Sequence, residues 1–257
     1  MGMMYAAFDA AGQEVRQPCL AVAGFISSAT DWEDFDTQWR SRLGKDGLSY
    51  FRMSEFAQWT GAFSEKQEWP EERRRALLGD LVAITQKHVY HKFGCAVVNA
   101  TFEDMDEEVR KAFGLTAYVL AARTCAGDVR GWSSDAYMPR APIAYIFEAG
   151  DTGKDGPLKG KLIERLEHDA FPTPIFWPKK DIIRDGVTHP GFAGLQAADI
   201  LAYEHSLVAK RGEASRWAFW EFDKYPPGVL TQYTVSDLKE LERRLGEVGG
   251  NPDVQAL

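Results

Sequence analysis

Three acidic residues stand where apolar sequence would leave a charge poorly hydrated. Asp9 closes the run Tyr5-Ala6-Ala7-Phe8, and Glu148 closes Ile143-Ala144-Tyr145-Ile146-Phe147. Asp199 interrupts Leu195-Gln196-Ala197-Ala198-Asp199-Ile200-Leu201-Ala202. A carboxylate withdrawn from water needs a partner, and a divalent cation that prefers oxygen ligands is one. Mg2+ or Mn2+ held by several carboxylates activates water and stabilises a leaving oxygen, which is the chemistry of phosphodiester hydrolysis. Each acid alone has a plainer reading. Asp9 would cap the following turn, Glu148 would be a loop acid beside Gly150, and Asp199 would pair with a nearby Lys or Arg. Their order along the chain favours one joint metal site made of Asp9, Glu148 and Asp199.

Two strand ends and one helix face must deliver these acids. Residues 3–9 and Cys19–Ile26 read as strands pairing antiparallel around a turn at Ala11–Glu14. Thr30 or Asp31 is placed to cap a helix running to about Leu43, with Trp32, Phe35, Trp39 and Leu43 at helical spacing. Leu48–Phe51 reads as a short strand. Pro70 suits the first position of a helix ending near His88, with Glu71 and Glu72 complementing its dipole. A strand at Phe93–Val98 precedes two helical stretches over 103–128, broken near Gly114. Pro142 introduces the strand that ends in Glu148, and Gly150–Gly156 is a loop. A helix over 157–169 and a strand at Pro174–Trp177 lead into a loop through Lys179, Lys180 and Arg184 to Pro190-Gly191. The Asp199 helix covers about 192–209, and a last helix about 235–246. On the Asp199 helix, Gln196, Asp199 and Tyr203 share a face, whereas Glu204 and His205 project away from it. Lys179 and Lys180 are placed to contact a phosphate, and Lys180 joins the candidate catalytic set. Of the histidines, His189 in Thr188-His189-Pro190-Gly191 is the one expected to approach the site, with a loop hydrogen bond as its plainer reading.

Composition excludes several classes. The chain has 257 residues, 45% hydrophobic and 26% charged, enough for a proper core. No apolar stretch approaches the about 20 residues that span a bilayer, and the first residues lack the pattern of a signal peptide. A cytoplasmic protein without a membrane partner is expected. Cys19, Cys95 and Cys125 are an odd, widely spaced set and read as buried free thiols. The net charge of -8 argues against broad coating of nucleic acid but leaves room for a local basic channel. Arg73-Arg74-Arg75 reads as a solvated helix face, and most tryptophans as core packing. Gly150-Asp151-Thr152-Gly153-Lys154 is too short for a phosphate loop.

The motifs Phe8-Asp9-Ala10-Ala11-Gly12, Phe147-Glu148 and Leu195-Gln196-Ala197-Ala198-Asp199 resemble those of the bacterial and phage family known as domain of unknown function 3800. That family is assigned to the ribonuclease H-like superfamily, and the resemblance covers nearly the whole chain. Tyr50-Phe51-Arg52-Met53-Ser54-Glu55-Phe56 also resembles a family segment. The resemblance implies an α/β fold, a ribonuclease H-like mixed β-sheet flanked by helices. It would form a single domain over 1–250, with 251–257 a flexible tail. It further implies a metal-dependent nuclease or phosphodiesterase using Mg2+ or Mn2+ on Asp9, Glu148 and Asp199, with nucleic acid, DNA or RNA, as partner. The chain departs from the family at Ala10, where an acid is usual, at Ala11, where serine is usual, and at Arg52, where histidine is more frequent. Those departures motivate an alternative, a ribonuclease H-like binding or scaffold protein with impaired catalysis. A small phosphorylated metabolite is a third candidate substrate.

Overall fold

β1 (Met4–Ala11) and β2 (Cys19–Ser28) carry almost no exposed residue on either side, so the sheet they begin must be covered on both faces. A computed structural model describes residues 2–12, 17–65, 68–135, 141–149, 156–184, 186–211, 221–222 and 224–248. β1, β2 and β3 (His91–Val98) form an antiparallel meander. β4 (Ile143–Glu148) adds parallel to β1, and β5 (Ile175–Trp177) adds parallel to β4. β8 (Gly228–Tyr233) adds parallel to β3, giving the order β5-β4-β1-β2-β3-β8. β6 (Ile182–Arg184) and β7 (Val187–His189) form a separate hairpin. The fold is α/β, with a mixed sheet flanked by helices.

Strand residues alternate between two cores. Ala6, Phe8, Val22, Phe93, Tyr145 and Phe147 point to one. It is closed by α6 (Ala117–Asp135), α7 (Gly156–His168) and α9 (Val235–Val248), with the short α4 (Asn99–Glu103) and α5 (Glu107–Ala112) at its margin. Ala7, Ala23, Phe25 and Ile146 point to the other. That core is closed by α1 (Ala29–Lys45), α2 (Met53–Gln58), α3 (Glu71–His88) and α8 (Ala193–Arg211). By the same two-residue period Asp9 follows Ala7 and Glu148 follows Ile146, so both belong to the α8 side. The parallel register pairs Phe8 with Phe147, which makes Asp9 and Glu148 the next neighbours at one sheet end.

Several local expectations are corrected. Ser28 caps α1, its Oγ accepting from the Asp31 amide at 3.1 Å, so the helix begins before Thr30. Leu48–Phe51 forms no strand, because its donors go elsewhere: Leu48 N–H to the end of α1 and Phe51 N–H to the Gln196 side chain. Pro70 is the cap of α3, not its first turn. The segment expected as a loop after Lys180 is the β6–β7 hairpin, turned at Gly186 with φ +75°. Arg74 is buried over the Phe56 and Trp59 rings and donates to Phe56 O, which ties α3 to α2 instead of facing water. Trp32, Trp39 and the three cysteines are buried as expected. The turn at Gln13-Glu14, most of the loop at 150–156 and the tail at 251–257 lie outside the described residues. No helix among the described residues is long and apolar enough to cross a membrane.

Gly24 lets the two central strands approach: a Cβ there would stand 1.8 Å from the Ala7 carbonyl oxygen and 2.8 Å from the Phe8 ring. Backbone cannot yield as a flexible side chain does. Gly24→Ala should therefore cost about 3 kcal/mol, the upper end for overpacking, read by urea denaturation. A loss below about 1 kcal/mol would contradict this packing.

Candidate functional site: a carboxylate and lysine cluster under a basic cleft

Parallel pairing brings the ends of β1, β4 and β5 to one edge of the sheet, and chemistry collects there. Glu148 is paired with Trp177, and two residues later Lys179 turns back over the strand ends. Its ammonium donates to Asp9 Oδ2 at 2.8 Å and to Asp199 Oδ1 at 3.4 Å. Asp9, Asp199 and Lys179 are only 5, 6 and 7% exposed, so these charges face one another and not bulk water. The other oxygens are also held. Asp9 Oδ1 accepts from the Ala10 amide at 2.7 Å, and Asp199 Oδ2 accepts from the Met53 amide at 2.6 Å.

Gln196 fixes the three chain segments around this cluster. Its Oε1 accepts from Trp39 Nε1 at 2.9 Å and from Phe51 N–H at 2.7 Å, while its Nε2 donates to the Lys179 carbonyl at 2.6 Å. One buried amide thus locks α1, the segment entering α2, and the Lys179 backbone to α8. From the sequence, Gln196 shares a face with Asp199, which suits orienting Asp199 or a water, or a plain hydrogen bond at the helix surface. Its larger contribution is to set the path of Phe51-Arg52-Met53, whose last amide then reaches Asp199.

Electrostatics follow from burial. Desolvation is the largest influence on Asp9 and, despite the neighbouring Lys179, raises its pKa from 3.8 to about 7, with the charges of Asp199 and Glu148 adding to the rise. Burial opposes the charge on Lys179, but Asp199, Asp9 and Glu148 together outweigh it and hold the ammonium protonated well above the usual lysine range. Lys179 thus sits among the charges of three carboxylates, in direct contact with Asp9 and Asp199. By charge and oxygen donors, Asp9, Glu148 and Asp199 fit a divalent cation. By position one place is taken: Lys179 lies between Asp9 and Asp199. Among the described residues no group of three or more His, Cys, Asp or Glu side chains stands ready as a ligand set. The plainer expectation for Asp199, pairing with a basic residue, is what this geometry contains.

Lys179, not Lys180, meets the acids. The Lys180 ammonium instead lies 5.6 Å from the Tyr50 ring. β5 ends at Trp177 and both lysines lie in the bend that follows, so no strand alternation distinguishes them in the sequence. Glu204 and His205 are buried on α8, away from the cluster. Burial pushes the His205 imidazole down to about 4, and its Nδ1 faces the Gly94 backbone. His189 is exposed on β7. Ala10 packs towards the α6 core, so an acid at that position would point away from the face that carries Asp9.

Above the cluster a cleft of about 520 Å3 opens between the end of β1, the start of α2 and α8. Lys179 and Asp199 are at its inner end. Arg52 lines one wall, and Tyr203, Ser206, Lys210 and Arg211 line the other. Among the described residues of the lining, Arg52, Lys179, Lys210 and Arg211 stand against one acid, Asp199, in a protein whose net charge is -8. Comparisons with family models, with curated proteins and with solved structures return no match.

Gln196→Leu strands the Trp39 indole N–H, the Phe51 N–H and the Lys179 carbonyl at once. At about 1–3 kcal/mol for each buried orphan, the loss should be about 3 kcal/mol or more by chemical denaturation. A loss near 1 kcal/mol would show that the three segments do not depend on this amide. Asp9 gives a pH prediction. Its folded pKa of about 7 exceeds the unfolded 3.8, so the native state binds the extra proton between these values. The contribution of Asp9 to stability is therefore greatest at low pH and is lost as pH rises towards 7. Asp9→Asn should flatten the stability curve between pH 4 and 7 relative to the unsubstituted protein. Parallel curves would contradict the assignment.

Proposed function

We propose that the protein is a divalent-cation-dependent phosphodiester hydrolase of ribonuclease H-like architecture that acts on nucleic acid. The observation that carries this reading is the pairing of a buried carboxylate cluster with a cleft whose lining is basic although the chain is acidic. An anionic substrate is drawn to the cleft and meets oxygen ligands at its inner end. The antiparallel β1–β2–β3 meander, extended beside β1 by parallel β4 and β5, supports the ribonuclease H-like architecture, as do the resembling motifs around Asp9, Glu148 and Asp199.

Asp9, Glu148 and Asp199 would hold Mg2+ or Mn2+. When bound, such an ion supplies an activated water and charge stabilisation at the departing oxygen. The chain's own residues do the rest. Lys179 keeps Asp9 and Asp199 together in the absence of a metal and presents an ammonium at the inner end of the cleft. Arg52 offers a planar, bidentate donor for a phosphate. It cannot transfer a proton as histidine would, so its place in the reaction is binding.

A second reading is favoured by one observation: Lys179 already partly neutralises two of the acids, which suits a protein that binds nucleic acid without cutting it. Cleavage assays separate the two. Single-stranded and duplex DNA and RNA, and nucleoside phosphates, would be incubated with Mg2+, Mn2+ or chelator. The hydrolase reading predicts cleavage that needs the divalent ion and falls at least about a hundredfold in Asp199→Asn. Cleavage that persists in Asp199→Asn would overturn the site assignment. No cleavage of any substrate with either ion would leave the binding reading.

A further inference from the structure

We propose that the cleft is a track for an unpaired nucleic-acid strand. Arg52 would hold a phosphate near the reacting one, and Lys210 with Arg211 would hold a phosphate several nucleotides away. This rests on the phosphodiester reading for the identity of the reacting group and names the substrate form that the site accepts.

The track is written along α8. From Asp199, the residues Tyr203, Ser206 and Lys210 follow at helical spacing and all line the cleft. Lys210 lies eleven residues on from Asp199, about 16 Å at 1.5 Å per residue. A stacked strand advances about 3.4 Å per phosphate, so this distance covers about five nucleotides. A small phosphate ester held at Asp199 would not reach the distal pair. Lys210 is also positioned: its Nζ donates to Gln17 Oε1 at 2.8 Å across the mouth of the cleft. Between the two cationic ends stands the Tyr203 ring. A basic groove with an aromatic side chain is the arrangement that receives unpaired bases with little sequence preference.

Depth argues for a single strand over a duplex. Asp9, Asp199 and Lys179 are almost fully shielded from water. A phosphate must descend to reach them, which a flexible strand does readily and a stiff duplex does only by bending. The overall negative charge acts in the same direction, because it disfavours nonspecific contact with phosphates outside basic linings such as this one.

The test reads binding apart from cleavage, by fluorescence anisotropy of labelled dT10, dT2 and a ten-base-pair duplex with the full-length Asp199→Asn chain. The inference expects dT10 to bind at least tenfold more tightly than the duplex. Adding Lys210→Gln and Arg211→Gln should weaken dT10 at least tenfold and leave dT2 unchanged. The slope of log affinity against log salt should become shallower by about 1.4, from two phosphate contacts at about 0.7 each. Arg211→Glu alone, at an exposed position, gives the same direction if the double variant folds poorly. Equal binding of dT10 and duplex overturns the inference, as does indifference of dT10 to these substitutions. A protein that binds dT10 through Lys210 and Arg211 but never cleaves it supports the inference and removes the hydrolase reading. A protein that cleaves but ignores both substitutions does the reverse.

Discussion

A buried ammonium between two buried carboxylates is the constraint on which the rest of the site depends. Lys179 reaches Asp9 at the end of β1 and Asp199 in the middle of α8, joining the sheet edge to the helix that covers it. Removing one member of such a group leaves a charge with neither water nor partner, which typically costs 3–5 kcal/mol. The elements that hold Lys179 are therefore bound to the cluster: the parallel β4–β5 pair that brings it back, and Gln196, which grips its carbonyl. Burial is the main reason that the pKa of Asp9 is raised, with the neighbouring acids adding to it. Protonation of Asp9 relieves that cost, and in the proposed reading a divalent ion would do the same.

The basic cleft gives this cluster a direction. In the proposed reading, the cations of the lining would select phosphate, while the acids beneath would supply oxygen ligands and not binding energy for an anion. Arg52 connects the two because its neighbours Phe51 and Met53 are fastened to Gln196 and Asp199 through their amides. The Arg52 backbone is thus set by the same hydrogen bonds that shape the acid site. Ala10 faces the opposite core, so the departure at that position from the resembling motif does not touch the face of Asp9.

Much of this was legible in the sequence where local periodicity carries the information. The acids at the ends of apolar runs, the α8 stripe of Gln196, Asp199 and Tyr203, and the packing role of Trp32 and Trp39 follow from spacing alone. Non-local partners were not legible. Nothing near Leu48–Phe51 says that the Phe51 amide is spoken for by a side chain at position 196, so the segment reads as a strand. β8 escaped notice because its ladder partner, β3, is more than a hundred residues away and it follows two prolines. Lys179 and Lys180 are adjacent and alike, and both lie in the bend after β5. The sequence names both, and only the tertiary contacts of Lys179 with Asp9 and Asp199 separate them.

The central claim is that Asp9, Glu148 and Asp199 share one divalent ion and that Lys179 holds its place in the ion's absence. The most direct measurement is anomalous diffraction from a crystal soaked in Mn2+. The account predicts a manganese peak liganded by oxygens of Asp9, Glu148 and Asp199, with the Lys179 ammonium moved out from between the two aspartates. A site without manganese, the ammonium still bridging Asp9 and Asp199, would contradict it.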